Sequence, residues 1–472
     1  MLHAYKFKDE NIILDVNSGC VHLVDNVVFD VLTKYGEDYK ASVNSGIPRE
    51  VIEEIDELVS ENMLFTEDDQ VTKTMLTGRD AVIKALCLHV AHDCNLRCRY
   101  CFGDTGFYFG ERSLMSLETG KKAIDFLIEK SGARRNLEVD FFGGEPLMNF
   151  DVVKAIVEYG DMAAKKRGKL IRWTMTTNAL LLDDEKASYL NETMDNIVLS
   201  IDGRKEVHDN MRPSSNGKGS YETVLKNIKH MRDVRKGKYY LRGTFTKHNL
   251  DFSKDVCHLA DMGFPNISME PVVTSDDVDY RITKDDLPAV LGEYEKLADI
   301  CLDYAKQGKQ FAFFHFNIDP SQGPCVVKRV SGCGAGTEYV AISPEGDIYP
   351  CHQFVGTEDF KLGNLSDVDC FATLAMTEIS NDCHSGPVDA CHSGPDPESI
   401  FQNKLYDYFN EAHIYSKPAC MDCWAKFYCS GGCHANAYFS NNDILQPDEI
   451  ACALERKRVE LALGIWAVSE IG

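Results

Sequence analysis

Six short apolar runs rich in β-branched and aromatic residues punctuate residues 84 to 272: ALCLHVA, LEVDFF, IRWTMTTNA, NIVLSIDG, YYLRGTFT and NISMEPV. Longer helix-type segments separate them. One is MSLETGKKAIDFLIEKSG, in which Ser116 is placed to cap a helix and Gly132 to stop it. Alternation of strand and helix over this stretch predicts an α/β fold with a parallel sheet, open or closed into a partial barrel. Catalytic groups of that architecture collect at the C-terminal ends of the strands.

The flanks follow another grammar. NIILDV and CVHLVD read as two strands joined by the turn former Asn17-Ser18-Gly19. VVFDVLTKYG then reads as a helix that stops at Gly36, and Pro48 sits just inside a second amphipathic run, PREVIEEIDELVSENML. Two strands and two helices in this order resemble a winged-helix-like peptide-binding unit, forming a small module of their own. Beyond about residue 320 the alternation fades and cysteines crowd in. There TEISNDCHSGPVDACHSGPDPESI repeats CHSGP, and its Ser, Pro and Asp content reads as a solvated insertion rather than a metal site. A chain of 472 residues exceeds one compact core, and the boundaries expected are 1–80, 81–319 and 320–472.

The formal charge of −24 argues against a nucleic-acid grip, which needs surplus Lys and Arg, and against docking on anionic lipid. MLHAYKFKDEN has no apolar stretch after a basic segment, so no signal peptide is expected, and LALGIWAV is too short to span a bilayer. A cytoplasmic protein is predicted. Its 18 cysteines then call for metal ligation, because thiols in that compartment stay reduced.

CNLRCRYC, directly after the first strand, places Cys94, Cys98 and Cys101 as CxxxCxxC. A structural zinc site wants four protein ligands. Three thiolates suit a [4Fe–4S] cluster with one iron open to an exogenous ligand. With Tyr100 as the aromatic residue, the motif resembles the signature of the radical S-adenosylmethionine (SAM) superfamily. That resemblance implies that the open iron binds SAM, which is cleaved to methionine and a 5′-deoxyadenosyl radical. It also makes Gly143-Gly144-Glu145-Pro146, after LEVDFF, the family's GGEP, holding the methionine amino group. Glycines permit close backbone approach and a carboxylate suits an ammonium. Ser200 and Asp202 resemble the ribose and carboxylate contact, and Arg212 a partner for the SAM carboxylate. Gly217-Lys218-Gly219-Ser220 lacks the spacing of a phosphate loop. His89, His92, Asp104 and His434 read as hydrogen-bonded structural residues.

Downstream, Cys333 and Cys351 precede Cys420, Cys423, Cys429 and Cys433 as CxxCx5CxxxC, with Cys452 beyond. CxxC pairs alone suggest zinc ribbons. Next to a radical SAM core the run resembles the SPASM extension with its two auxiliary [4Fe–4S] clusters, three in all. The resemblance gives Cys420, Cys423, Cys429 and Cys452 to one cluster and Cys333, Cys351 and Cys433 to the other, with Cys325 as candidate fourth ligand. If Cys325 is not a ligand, an iron is open to a substrate thiolate. Cys20, Cys87, Cys257, Cys301 and Cys370 read as small buried hydrophobes.

LDVNSG, CLHVAHDCNLRCRYCF, VDFFGGEPLMNF and CWAKFYCSGGCHANAY resemble maturases of ribosomally made peptides, most of all the thioether-forming maturases of six-cysteine "SCIFF" (ranthipeptide) precursors. The implied fold is a partial (β/α)6 TIM-like barrel with a leader-binding domain before it and a SPASM domain after it. The implied partners are a precursor peptide, its leader added as a strand to the N-terminal sheet, and an electron donor such as ferredoxin or flavodoxin. Two alternatives stand. An anaerobic sulfatase-maturating, formylglycine-generating enzyme shares core and tail but normally lacks the N-terminal module. A non-catalytic, metal-braced peptide-binding scaffold would not need the three-cysteine motif together with GGEP.

Overall fold

The computed structural model describes residues 1–68, 82–274, 277–309, 311–318, 320, 330–368 and 404–470. The CHSGP repeat, Cys325 and Cys370 lie outside the described residues.

The chain opens with an antiparallel sheet of β1 (Leu2–Phe7), β2 (Glu10–Asp15) and β3 (Val21–Val24), in that order. The two strands expected are thus three. β1 was hidden because it carries polar residues next to apolar ones and is specified by its partner, from Leu2↔Asp15 to Phe7↔Glu10. Helices Asn26–Tyr35 and Arg49–Ser60 follow, the first capped by Asp25 and ended at Gly36 (φ 54°). Pro48 is the residue just before the second helix rather than inside it. The sheet is not a separate body. Phe7 and Ile12 join the main core, His3 stacks on Trp424 at 3.7 Å, and the Tyr5 hydroxyl donates to the Glu460 carbonyl at 3.0 Å. Glu460 belongs to the long helix Glu449–Glu470.

All six apolar runs are strands. β4 (Ala85–His92) carries at its end the short antiparallel β5 (Ser113–Leu114). Then β6 (Asn136–Gly143), β7 (Leu170–Thr177), β8 (Asn196–Ser200), β9 (Lys238–Phe245) and β10 (Asn266–Pro271) add in sequence order, each parallel to the last. Helices cover the outer face. Leu117–Lys130, capped by Ser116 onto Thr119 N, buries Ala123, Ile124 and Leu127, and Phe150–Lys166 buries Val153, Ile156 and Val157. Period-two burial in β6 and β7 stacks Phe141 on Trp173 at 5.5 Å. Each such buried side chain contributes about 1.5–3 kcal/mol of apolar burial.

β11 (Ala312–Phe313) extends the sheet beyond β10. At the other edge β12 (Tyr339–Ile342) pairs in parallel with β4, followed by antiparallel β13 (Asp347–Tyr349) and β14 (Gly363–Asn364). The cysteine-rich C-terminal part is therefore hydrogen-bonded into the barrel sheet. Short helices Pro418–Met421, Lys426–Cys429 and His434–Asn441 carry the remaining cysteines. Among the described residues no helix is long and apolar enough to cross a membrane.

Candidate active site

A cavity of about 530 Å³ opens at the C-terminal ends of the parallel strands. Cys94, Cys98 and Cys101 line it from the loop after β4, and Gly143 and Gly144 from the end of β6. Thr176 and Thr177 reach it from β7, Ser200 from β8, Arg242 and Thr244 from β9, and Glu270 from β10. Cys429, Cys433 and Cys452, from the C-terminal part of the chain, line it too.

The cysteine loop is pinned by Arg97 N to Pro213 O (2.8 Å) and Arg99 N to Met211 O (2.9 Å). It then turns through the left-handed residues Asp104, Thr105 and Gly106. This turn aims the N–H groups of Gly103, Thr105 and Gly106 at the Cys101 sulfur. Cys94 Sγ accepts from Leu96 N at 3.4 Å and from Asn178 Nδ2 at 3.5 Å. A Cβ on Gly106, at φ 98°, would sit 2.6 Å from Cys94 Cβ, so only glycine lets the turn close on the cluster loop. Burial pushes the Cys94 and Cys98 thiols up to about 12. N–H donors turned on sulfur suit such cysteines as thiolates on a metal. Among the described residues no three His, Cys, Asp or Glu side chains close on one point as the ligands of a single ion would. Three thiolates at one cavity fit a cluster in which each holds a different iron.

The Gly-Gly pair brings β6 against this loop. Gly144 N donates to Ala91 O at 2.8 Å and Glu145 N to Asp93 O at 2.9 Å. A Cβ on Gly144 would lie 2.2 Å from Asp93 O and 2.8 Å from Gly106 O. Glu145 itself departs from expectation: it is fully buried and does not line the cavity. Its carboxylate accepts from Leu147 N (3.0 Å), Thr177 Oγ1 (2.6 Å) and Asn178 N (2.8 Å). Burial raises its pKa and these bonds oppose the rise. Its place in the structure is a brace that sets Asn178 beside Cys94.

Tyr100, Asp202 and Arg212 meet. The Tyr100 hydroxyl donates to Asp202 Oδ2 at 2.6 Å, and Arg212 Nη1 donates to Tyr100 Oη (2.9 Å) and Asp202 Oδ1 (3.4 Å). Thr244 N adds a bond to Asp202 Oδ1 at 3.1 Å. Burial raises the Asp202 carboxyl while the Arg212 charge works against it. Tyr100, Ser200 and Arg212 line the cavity and Asp202 stands behind them. The buried Arg212 Nε has no hydrogen-bond partner among the described residues, leaving a donor for an anionic ligand. A SAM carboxylate fits that donor.

The downstream cysteines sort into two sets. Cys420 is coupled by charge to Cys423 and Cys452, and Cys429 to Cys420 and Cys452, whereas Cys351 is coupled to Cys333 and Cys433. Burial pushes the Cys420 thiol up to about 11 and that of Cys429 up to about 12. Backbone N–H groups again face sulfur: Gly432 at Cys429, Ala335 at Cys333, and Gln353 and Phe354 at Cys351. Of the remaining cysteines Cys87 is buried, while Cys20, Cys257 and Cys301 are half-buried.

His89 is fully buried with Nδ1 3.2 Å from His92 Nε2, and burial holds both imidazoles neutral. Sequence reading missed Arg242, Glu270 and Arg458, which line the cavity. Burial opposes the Glu270 charge, yet His315 (3.1 Å), Arg458 and Arg242 hold it below the ordinary carboxylate range. Arg458 Nε and Nη2 donate to the Tyr294 hydroxyl at 2.9 and 2.6 Å. A charged residue near the C-terminal end of a barrel strand was the available signal for Arg242 and Glu270.

Residues 88–251 match the radical SAM superfamily, and residues 333–384 match SPASM, an iron–sulfur cluster-binding domain. The chain is 22% identical over 395 residues to a radical SAM cyclopropyl synthase of Paramaledivibacter caminithermalis, covering 79% of this chain and 72% of that one. It is 25% identical over 302 residues to a cysteine-type anaerobic sulfatase-maturating enzyme of Clostridium novyi, covering 58% and 74%. Other curated relatives align over only 48% and 66% of their own length. The solved structure of native anSMEcpe with bound AdoMet superposes with a TM-score of 0.64 at 18% identity, over 82% of this chain and 100% of that one. The chain thus joins a radical SAM TIM-like core to a C-terminal SPASM domain.

Proposed function

We propose that the chain is a radical SAM maturase that installs thioether crosslinks in a ribosomally made, cysteine-rich precursor peptide. One observation carries this reading: a single cavity is lined both by Cys94, Cys98 and Cys101 and by Cys429, Cys433 and Cys452. A peptide segment in it has both donor sets within the same cavity. When bound, the cluster on Cys94, Cys98 and Cys101 with SAM supplies hydrogen-atom abstraction, and the auxiliary clusters take up the surplus electron.

The chain's own residues bind and orient. Arg212 offers its spare Nε to the SAM carboxylate, with Tyr100 and Asp202 fixing the guanidinium. Ser200 stands at the strand end for the ribose, and Gly143 and Gly144 keep the backbone low enough for close approach. Arg242 and Glu270 present opposite charges to the peptide from adjacent strands. For each crosslink one C–H and one S–H bond break and one C–S bond forms; a hydrogen atom, a proton and an electron leave the peptide. Residues 1–80 are assigned to the leader, residues 81–319 to the barrel and 320–472 to the SPASM domain. Among the described residues β1 and β3 each pair with one strand, an edge that a strand from the leader would extend. The proposed setting is the cytoplasm, with a ferredoxin or flavodoxin as electron donor.

A second reading, a formylglycine-generating sulfatase maturase, is favoured by the Clostridium novyi relative and by the superposition at TM-score 0.64. The N-terminal sheet and helices favour the first. Anaerobic incubation with SAM, a reductant and a six-cysteine precursor, read by mass spectrometry, decides. The expected product has lost two hydrogens per crosslink. Deoxyadenosine formed beside an unaltered precursor, with a sulfatase-type peptide converted to its aldehyde, would establish the second reading instead.

A further inference from the structure

Four Lys or Arg residues among those described are buried: Arg212, Lys417, Lys426 and Arg458. Three have a carboxylate at ion-pair distance. Arg212 has Asp202, Lys426 has Asp68 at 3.1 Å, and Arg458 has Glu455 at 3.6 Å. Lys417, at 0% exposure, has none among the described residues. Its Nζ donates to Gly431 O at 2.8 Å and lies 3.4 Å from His434 Nδ1. His434 is itself buried, and its Nδ1, facing an ammonium, serves as an acceptor. Two neutral acceptors do not replace the water a buried ammonium loses, and buried charges in folded proteins are paired or sit against metal centres.

Burial works against the Lys417 charge, and the groups that most favour it are sulfurs, with the Asp443 carboxylate a further one. Cys420, Cys429 and Cys452 face it from one ligand set and Cys433 from the other. The backbone explains why both sets reach one nitrogen. Cys429 and Cys433 are joined by Ser430, Gly431 and Gly432, all left-handed at φ 60°, 87° and 75°. This turn carries the chain from one set to the other, and Lys417 caps the carbonyl at its centre.

We propose that Lys417 is the counter-cation shared by the two auxiliary clusters, placed so that each more readily takes an electron. The inference rests on reading these seven cysteines as ligands of two iron–sulfur clusters. A thiolate-ligated cluster is anionic and gains a further negative charge on reduction. A fixed cation in a low-dielectric interior therefore stabilises the reduced state more than the oxidised one. Lys417 is a positioning residue for charge and touches neither SAM nor peptide.

The test is a potentiometric titration, followed by electron paramagnetic resonance, of the anaerobically reconstituted full chain with Lys417→Met and Lys417→Arg. Lys417→Met is expected to keep its iron and move both auxiliary potentials negative. The expected shift is at least tenfold in the reduction equilibrium, about 59 mV for one electron. The centre that responds to SAM should stay in place, and Lys417→Arg should follow the wild type. Intact auxiliary clusters with unmoved potentials in Lys417→Met overturn the inference alone. If Lys417→Met sheds auxiliary iron, Lys417→Arg decides: retention with wild-type potentials upholds the role of charge, and equal loss overturns it. A wild-type chain that binds only the SAM-responsive cluster would overturn the ligand reading and this inference with it.

Discussion

Acidification should loosen the segment that carries Asp202 and Arg212, through one histidine. His208 is fully buried, and its bonds fix its tautomer. Ser220 Oγ donates to the Arg212 carbonyl at 2.6 Å, so His208 Nε2–H donates to Ser220 Oγ at 3.0 Å, and Nδ1 accepts from Asp202 N at 3.3 Å. A proton on Nδ1 would confront that N–H. Burial, with the charges of Arg212 and Lys205 against that of Asp209, lowers His208 from 6.5 to about 3. The folded value is depressed, so its stabilising contribution is whole above pH 6.5 and is lost as pH falls from 6.5 toward 3. At pH 5 the opened segment has gained about 1.5 pH units of proton affinity over the closed one, about 2 kcal/mol, or roughly 30-fold in opening. Hydrogen exchange of residues 201–221, corrected for the intrinsic pH dependence, should show that loss of protection between pH 7.5 and pH 5. Helix Phe150–Lys166 serves as the internal reference. His208→Gln keeps an acceptor for Asp202 N and a donor for Ser220 but cannot titrate, so its protection should be flat. Wild-type protection equal at both pH values, or a His208→Gln variant as pH-sensitive as the wild type, would refute the reasoning.

Gly144→Ala must push β6 away from the cluster loop, since the new methyl would lie 2.2 Å from Asp93 O. A displacement near 1 Å at a reacting centre costs about a hundredfold in turnover, and SAM binding by equilibrium dialysis should weaken in parallel. Tyr100→Phe removes the bridge between Asp202 and Arg212. One charge-assisted bond of this kind is worth about 1.5–3 kcal/mol, so the SAM dissociation constant should rise about tenfold or more at unchanged iron content. Cys325→Ala should lower iron by about four atoms per chain if Cys325 completes the cluster of Cys333, Cys351 and Cys433; unchanged iron would show that cluster to have an open site.

What the sequence disclosed is what short-range chemistry specifies. The six barrel strands declared themselves because short runs rich in β-branched and aromatic residues alternate with longer helix-type segments. Ser116 caps its helix because a hydroxyl three residues before an N–H is a local device. The CxxxCxxC motif falls after β4, where the fold predicts chemistry. The hidden parts depend on distant residues. β1 is held by β2 and by Trp424, which lies near the other end of the chain from His3. GGEP names a glutamate but not its direction, which is set by Thr177 and Asn178 at the end of β7. Lys417 looks like any surface lysine until four sulfurs from beyond it in the chain close around it.

The two halves of the cavity are positioned by the sheet, not by a linker. β12 pairs with β4 from Tyr339↔Ala85 to Ile342↔Leu88, so the strand that delivers Cys94 and the strands that deliver Cys351 are neighbours in one hydrogen-bonded ladder. A slip of one residue in that register would turn every side chain of the slipped strand to the opposite face. It would put Val340 and Ile342, both fully buried in the barrel core, where Ala341 now packs beside Cys87 and Cys351. The spacing between the cysteine loop and the SPASM cysteines is thereby tied to the apolar core. On the proposed function, a peptide in the cavity would meet two donor sets that folding alone brings together.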